Sequence, residues 1–436
     1  MATRKELRDH EKEVNYFFEF TKIQRHFFKD FIQQLKKVND PRSQSYITYS
    51  PETILYIILL KNVAGLDSMR SMSKGFNKEE CIENMKNVLH LDELEELPHY
   101  DTINNFLEKL EVEELENIRT YMIKQLLQKR CFDAYRLKGR YWGVIFDGTG
   151  LYSFDHKHCE HCLKKEYKNK ETGETQTVYM HHVLEAKLVI GNMVYSMGSE
   201  FIENESEDVT KQDCELKAFH RLAKKLKQTY KRLPICVLGD SLYACESVFR
   251  RCEKNKWKYH LRFKEGRIKS IASEFHMMKT IEKSRQENGL FWVNDISYNE
   301  RTVNLMEAKL ENEDGHTKQF LFITDLKINE KNATELVAAG RSRWKIENQG
   351  FNQQKNKRYY IERTNSHHYR AMKNHYLLTQ IADILMQLYE NGSSVIKKVK
   401  KTIKEKSLDL FEAIRGRIVT DKDLAELDTP IQVRFT

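Results

Sequence analysis

The stretch YWGVIFDGTG, Tyr141–Gly150, decides the fold. Before it, apolar residues recur at every third or fourth position; here aromatic and β-branched residues stand side by side and stop at an Asp-Gly pair. That change of period predicts a short buried strand ending at Asp147 and Gly148. In an α/β sheet, ligands gather at the carboxyl ends of strands, so Asp147 is a candidate for chemistry. Taken alone, an aspartate in such a place is more often a turn residue or a helix cap.

Toward the amino terminus the period is helical. It runs through NYFFEFTKIQRHFFKDFIQQL (Asn15–Leu35), ILYIILLKNVAGL (Ile54–Leu66) and INNFLEKLEVEELENIRTYMIKQLL (Ile103–Leu127), with turn signals between them. Residues 1–135 are therefore expected to form a helical domain. Its lysines and arginines suit DNA binding of the helix-turn-helix kind; the alternative is a bundle that only packs.

Toward the carboxyl terminus, LEAKLVIGNMVYSMGSEFIE (Leu184–Glu203) alternates about Gly191-Asn192 and predicts a hairpin. A long helix follows, then a buried strand PICVLGDS (Pro234–Ser241), a helix, and a strand WKYHLRFK (Trp257–Lys264). This order describes a mixed α/β sheet. Strand-like pieces fill residues 265–325, helices return over 326–392, and 393–436 reads as a basic tail. The acid-rich run ENESEDVTKQDCE, ending at Glu215, is expected to cap and open the long helix.

Composition bounds the function. Hydrophobic content of 40% in 436 residues argues for folded domains, and a net charge of +9 favours a polyanionic partner, nucleic acid above all. The charged opening MATRKELRDHEKEVNYFF predicts no secretory leader. The longest apolar run, TILYIILL, falls far short of the roughly 20 residues that span a bilayer. The expectation is a soluble, intracellular protein with no membrane partner. Eight cysteines are too sparse for a disulfide framework.

Two more carboxylates belong with Asp147. Asp240 ends the strand CVLG and precedes a helix. Glu347 lies in GRSRWKIENQGFNQQK, which reads as the start of an amphipathic helix, yet it falls between Trp344 and Phe351 in the apolar seam. Pairing with Arg343, four residues earlier, would be worth only a few tenths of a kcal/mol. Three carboxylates in one place would repel by several kcal/mol at about 4 Å and an effective dielectric near 20. Divalent cations resolve that repulsion. Magnesium takes oxygen ligands and tolerates phosphate beside them, and a pair of such ions clamps both oxygens of an in-line phosphoryl displacement.

The segments VIFDGTG (Val144–Gly150), VLGDS (Val237–Ser241) and RSRWKIENQGF (Arg341–Phe351) resemble the DDE-type transposases of bacterial insertion sequences, in particular the branch carrying a Tyr-Arg-Glu-Lys signature. The likeness covers most of the chain. It implies a ribonuclease-H-like core, with 136–264 as its first part, 265–325 as a β-rich insertion and 326–392 as its second part. It implies Asp147, Asp240 and Glu347 as catalytic ligands of two Mg2+ ions, with Mn2+ able to substitute. It also implies double-stranded DNA partners, namely transposon terminal inverted repeats and target DNA, met by a homodimer. Cleavage at the transposon ends and strand transfer would follow, with Arg343 on phosphate and Trp344 and Lys355 beside it. Trp257 and Trp292 are candidates to stack an unpaired base, core packing being the alternative. Two positions depart from the signature: Gly340 stands where the family has Tyr, and Gln354 where it has Lys, with Lys355 next. Two other functions fit the same residues, a ribonuclease-H-like nuclease without strand transfer and a catalytically silent DNA-binding derivative.

A second metal chemistry is written in FDHKHCEHCLKK (Phe154–Lys165) and YMHHV (Tyr179–Val183). Cys-x-x-Cys is a half-site for structural zinc, and two histidines would complete a tetrahedron. The candidates are Cys159, Cys162, His181 and His158. The alternative is a His-rich surface loop with two free thiols, or histidines on DNA phosphate.

Overall fold

The computed structural model describes residues 14–43, 45, 47–168, 173–204, 212–281, 289–311, 315–427, 431–433 and 435. The chain forms two compact units, one of residues 132–351 and one of residues 1–131 with 352–436.

The second of these is helical. Its amino-terminal part holds α1 (Tyr16–Phe27), α2 (Phe31–Lys36), α3 (Pro51–Val63), α4 (Met69–Phe76), α5 (Glu79–Leu89), α6 (Tyr100–Lys109) and α7 (Val112–Leu127). The run TILYIILL lies in α3, where it is buried on every side. A helix apolar all round has to sit inside a bundle or a membrane, and here neighbouring helices cover it.

The other unit is built on one sheet. In chain order it has β1 (Trp142–Phe154), β2 (Leu163–Lys168), β3 (Thr175–Ile190), β4 (Met193–Ile202), α8 (Glu215–Thr229), β5 (Ile235–Gly239), α9 (Glu246–Asn255) and β6 (Lys258–Arg262). Then come α10 (Lys269–Ile281), β7 (Leu290–Tyr298), β8 (Arg301–Glu311), β9 (Thr317–Thr324) and α11 (Glu330–Arg341). The nine strands are ordered β2-β3-β1-β5-β6-β9-β8-β7, with β4 on β3. Only the β1–β5 and β5–β6 pairs are parallel; the rest are antiparallel. This is the mixed sheet expected of a ribonuclease-H-like core. The strands expected as an insertion extend the sheet, β9 bonding to β6 at His260↔Thr324. The hairpin turns at Gly191-Asn192 as expected, with Ile190 opposite Met193 and Gly191 at φ +58, the positive φ that glycine supplies freely.

One expectation changes here. The strand of Tyr141–Gly150 does not stop at Asp147 but runs on to Phe154. Pairing with β5 ends at Ile145, while pairing with β3 continues past Asp147↔Glu185 to Phe154. Asp147 is therefore mid-strand, two residues beyond the point where β1 loses its parallel neighbour.

After the sheet unit, the helical unit resumes with α12 (Asn352–Asn356), α13 (Tyr369–Gly392), α14 (Ser394–Lys398), α15 (Ile403–Gly416) and α16 (Asp421–Glu426). The long α13 packs on α1, α3, α6 and α7, so the helices after residue 351 group with the amino-terminal ones. Nor are residues 393–427 a loose tail. α15 packs on α1, α3, α4 and α5, and Asn84 of α5 bonds the backbone of Ile414, Arg417 and Val419.

Candidate active site

Each acidic side chain reaches the site from a different element. Asp147 projects from β1, its Oδ1 accepting from the Gly148 N–H at 3.2 Å. Asp240 follows β5, where its Oδ1 accepts from the Leu242 N–H at 2.7 Å, a local bond that fixes a carboxylate at a strand end. Glu347 lies on a π-helical turn, Ile346–Phe351, rather than at the start of an amphipathic helix. The π turn packs on β1 and β4, and Ile346 and Phe351 enter the apolar core with Val194 and Leu336. Those two residues anchor the turn and leave Glu347 partly exposed on the Asp147 side. Single π turns inside helical segments are frequent at functional sites.

Arg343 ties two of these groups together. Its Nη1 donates to Glu347 Oε1 at 2.8 Å and lies 3.5 Å from Asp147 Oδ2. Asp240 acts on Asp147 through its charge, as does a fourth carboxylate, Glu215. Burial pushes the Asp147 carboxyl up to about 7, Arg343 opposes that rise, and Glu215, Glu347 and Asp240 add to it. Burial also raises Glu215, with Asp240 adding to the shift and a Tyr243 hydrogen bond resisting it.

Glu215 is the residue that the sequence did not single out. It does open α8, as the acid-rich run suggested, but its carboxylate also accepts from Tyr243 Oη at 2.5 Å and lies over Gly148. A Cβ at Gly148 would stand 2.8 Å from Glu215 Oε2, so the glycine after Asp147 makes room for the fourth acid. The same run carried the signal, read only as a helix cap. Its middle, residues 205–211, lies outside the described residues.

The remaining expected site residues divide. Trp344 is 52% exposed beside the site, with the Arg343 guanidinium 5.1 Å from its ring centre. Trp292 is partly buried against the core. Trp257 is 2% exposed, so its ring is unavailable for stacking on a base and, of the two roles expected for it, core packing is the one that fits. Both departures from the signature have packing causes. A Cβ at Gly340 would stand 2.4 Å from the Phe322 ring and 2.8 Å from His260 Nε2, because α11 lies tightly on β6 and β9. Gln354 is buried in the helical unit and donates to Gln380 and Asp383. Lys355 pairs with Glu362 at 2.7 Å.

The donor set suits a hard cation. It offers carboxylate oxygens only, and Arg343 pairs with two of the four acids, Glu347 and Asp147. The acids are spaced rather than clustered: among the described residues, the group of three metal-ligating side chains with atoms within 4.8 Å of one another is a different one, His158, Cys159 and His181. Half-buried carboxylates with so little cationic pairing are what a divalent ion would neutralise.

The comparisons with known proteins point the same way. None of the curated proteins matches the chain. Residues 32–122 match the family described as DDE_Tnp_1-associated. Residues 138–385, which hold Asp147, Asp240, Glu215 and Glu347, match the family described as Transposase DDE domain. With that match spanning more than half of its length, the chain belongs to the DDE-type transposases.

Proposed function

We propose that this transposase cleaves DNA at transposon ends and joins the freed ends to target DNA, with Asp147, Asp240 and Glu347 as its catalytic carboxylates. One observation supports the reading: Arg343 bridges Glu347 and Asp147, and the charge of Asp240 reaches Asp147, at the point of the sheet where β1 outruns β5. Two Mg2+ ions, or Mn2+ in their place, would supply charge neutralisation and Lewis acidity there, held by Asp147, Asp240 and Glu347.

In the first step a water oxygen bonds to the scissile phosphorus as the bond to the 3′ oxygen breaks, leaving a 3′-hydroxyl and a 5′-phosphate. In the second, that 3′-hydroxyl bonds to a target phosphorus and displaces a target 3′ oxygen, so the number of phosphodiester bonds is conserved. Arg343 would hand its guanidinium from Glu347 to a phosphate oxygen, where a planar fork gives a bidentate, charge-assisted contact. Trp344 offers an exposed ring beside that phosphate. Glu215 and Tyr243 hold the inner wall behind Asp147. The partner is double-stranded DNA, and a homodimer would engage paired ends. Among the described residues, no helix is long and apolar enough to cross a membrane.

The test is strand transfer. Purified protein is incubated with labelled end-bearing DNA, magnesium and a target plasmid. Joined products are expected, and they disappear with a chelator. Nicks without joining would favour the hydrolytic nuclease. Asp147→Ala and Asp240→Ala should each lower cleavage at least about a thousandfold, on the order of 4 kcal/mol of barrier, while end binding persists. Cleavage that survives both substitutions rejects the assignment.

A further inference from the structure

We propose that Cys159, Cys162, His181 and His158 bind a structural Zn2+ ion, separate from the acidic site. Among the described residues, the segment between β1 and β3 has little core of its own. In β2, which pairs with one edge of β3, every residue after Leu163 is exposed. Yet at the base of this excursion Cys162 is 4% exposed and His181 1% exposed. An outlying hairpin without an apolar face needs another source of order, and a metal staple is one.

The spacing of the side chains fits the ion. Cys159 Sγ and Cys162 Sγ are 3.7 Å apart, and each lies 3.5 Å from His181 Nε2. A tetrahedral zinc with Zn–S near 2.3 Å and Zn–N near 2.0–2.1 Å places sulfurs about 3.8 Å apart and sulfur to nitrogen about 3.6 Å apart. All three edges therefore fall at the lengths of a zinc tetrahedron. His158 is the candidate for the fourth corner: its ligand nitrogen, Cys159 Sγ and a His181 nitrogen lie within 4.8 Å of one another, a group that does not include Cys162, so the His158 ring would draw in as it binds. Its ring stacks on Phe154, centroids 4.5 Å apart, which sets its direction.

The neighbouring candidates are engaged elsewhere. His161 Nδ1 meets the Asn204 carbonyl at 3.0 Å, His182 Nε2 meets Met180 Sδ at 3.0 Å, and His156 pairs with Asp155. The Cys159 N–H points to Cys162 Sγ at 3.4 Å, and the Asn204 side chain donates to the Cys162 carbonyl at 3.0 Å, so the thiol loop is held by its own backbone. Two sulfurs and two nitrogens in a closed tetrahedron are the donor set of a structural zinc; no position is left open for a substrate. His181 lies four residues along β3 from Glu185, the partner of Asp147, roughly 13 Å at strand rise. The ion would thus clamp the strand that borders the acidic site without joining it.

The experiment uses the full chain, free of any metal-binding tag, dialysed against chelator-treated buffer and analysed for metal by mass spectrometry. About one equivalent of zinc per chain is expected. Cys159→Ser with Cys162→Ser should lose it, while Cys131→Ser, at an exposed thiol elsewhere, keeps it. Should the double variant fail to fold, Cys162→His, which preserves four ligands, is expected to retain zinc. Cobalt exchanged into the wild-type protein should give thiolate-to-metal absorption. Less than about half an equivalent of zinc in the wild type, a Cys159–Cys162 disulfide in its place, or cobalt without that absorption overturns the proposal.

Discussion

Strands β1 and β3 border two very different constellations, the carboxylates around Asp147 and the thiols and imidazoles around Cys159. At the first, each acid is held by its own neighbour: Asp147 by the Gly148 N–H, Asp240 by the Leu242 N–H, Glu215 by Tyr243 and Glu347 by Arg343. At the second, the ligand atoms of Cys159, Cys162 and His181 draw to within 3.5–3.7 Å of one another. The contrast follows from charge. Neutral thiols and an imidazole can pack together before any ion arrives, whereas carboxylates at that range repel and have to be mounted apart on stiff elements. One site is poised by attraction among its ligands, the other by restraint of ligands that would otherwise separate.

The largest effect that can break this comparison is one of sign. Asp147 titrates near 7 in the folded protein against 3.8 for an ordinary aspartate, so the folded state holds a proton that the unfolded chain releases. Its cost to stability is absent below pH 3.8, grows as pH rises toward 7, and is complete above that. Asp147→Asn removes the charge and keeps the shape. At pH 8 in chelator it should stabilise the protein by on the order of 2–4 kcal/mol, with the gain fading toward pH 4. Cys162→Ser under zinc-replete conditions should do the reverse. Denaturant titrations at the two pH values measure both, and an Asp147→Asn variant less stable than its parent at pH 8 would show that the acids are not held against their repulsion.

A smaller effect sharpens the role of the fourth acid. Glu215→Gln keeps the Tyr243 contact and removes one negative charge from behind Gly148. If Glu215 helps to attract the cations, the magnesium needed for half-maximal cleavage should rise about tenfold, the scale for groups that support metal ligands. Should the magnesium curve stay where it is, Glu215 only props Tyr243.

How far the sequence carried can be judged from these same residues. The buried strands and the Gly191-Asn192 hairpin were legible because apolar runs and turn chemistry are local. The end of β1 was not, because Gly148, Thr149 and Gly150 look like a turn and only the β3 partner keeps them extended. Asp147, Asp240 and Glu347 stood out by their places at strand ends and in an apolar seam, with the resemblance adding their order. Glu215 did not, since nothing local says that the start of α8 abuts Gly148. Trp257 was left between base stacking and core packing because sequence gives its chemistry and not its burial. Gly340 and Gln354 looked like defects in a signature until the Phe322 ring and the Asp383 carboxylate gave each a packing reason.

The smallest expected change concerns Arg343, the cation between the acids. It bonds Glu347 and approaches Asp147, doing partly what divalent ions would do more completely. On the proposed reaction, the guanidinium would pass from those acids to a DNA phosphate. Arg343→Lys keeps the charge and loses the fork, so the two states should respond differently. Stability without metal should change by less than about 1 kcal/mol, the range of a partly exposed ion pair. Cleavage should fall several-fold, because a single ammonium cannot hold two phosphate oxygens in a fixed plane. Measuring both on the same variant separates the roles: a stability loss as large as the catalytic one would mean that Arg343 is a structural brace for the π turn, and that the handover to phosphate does not occur.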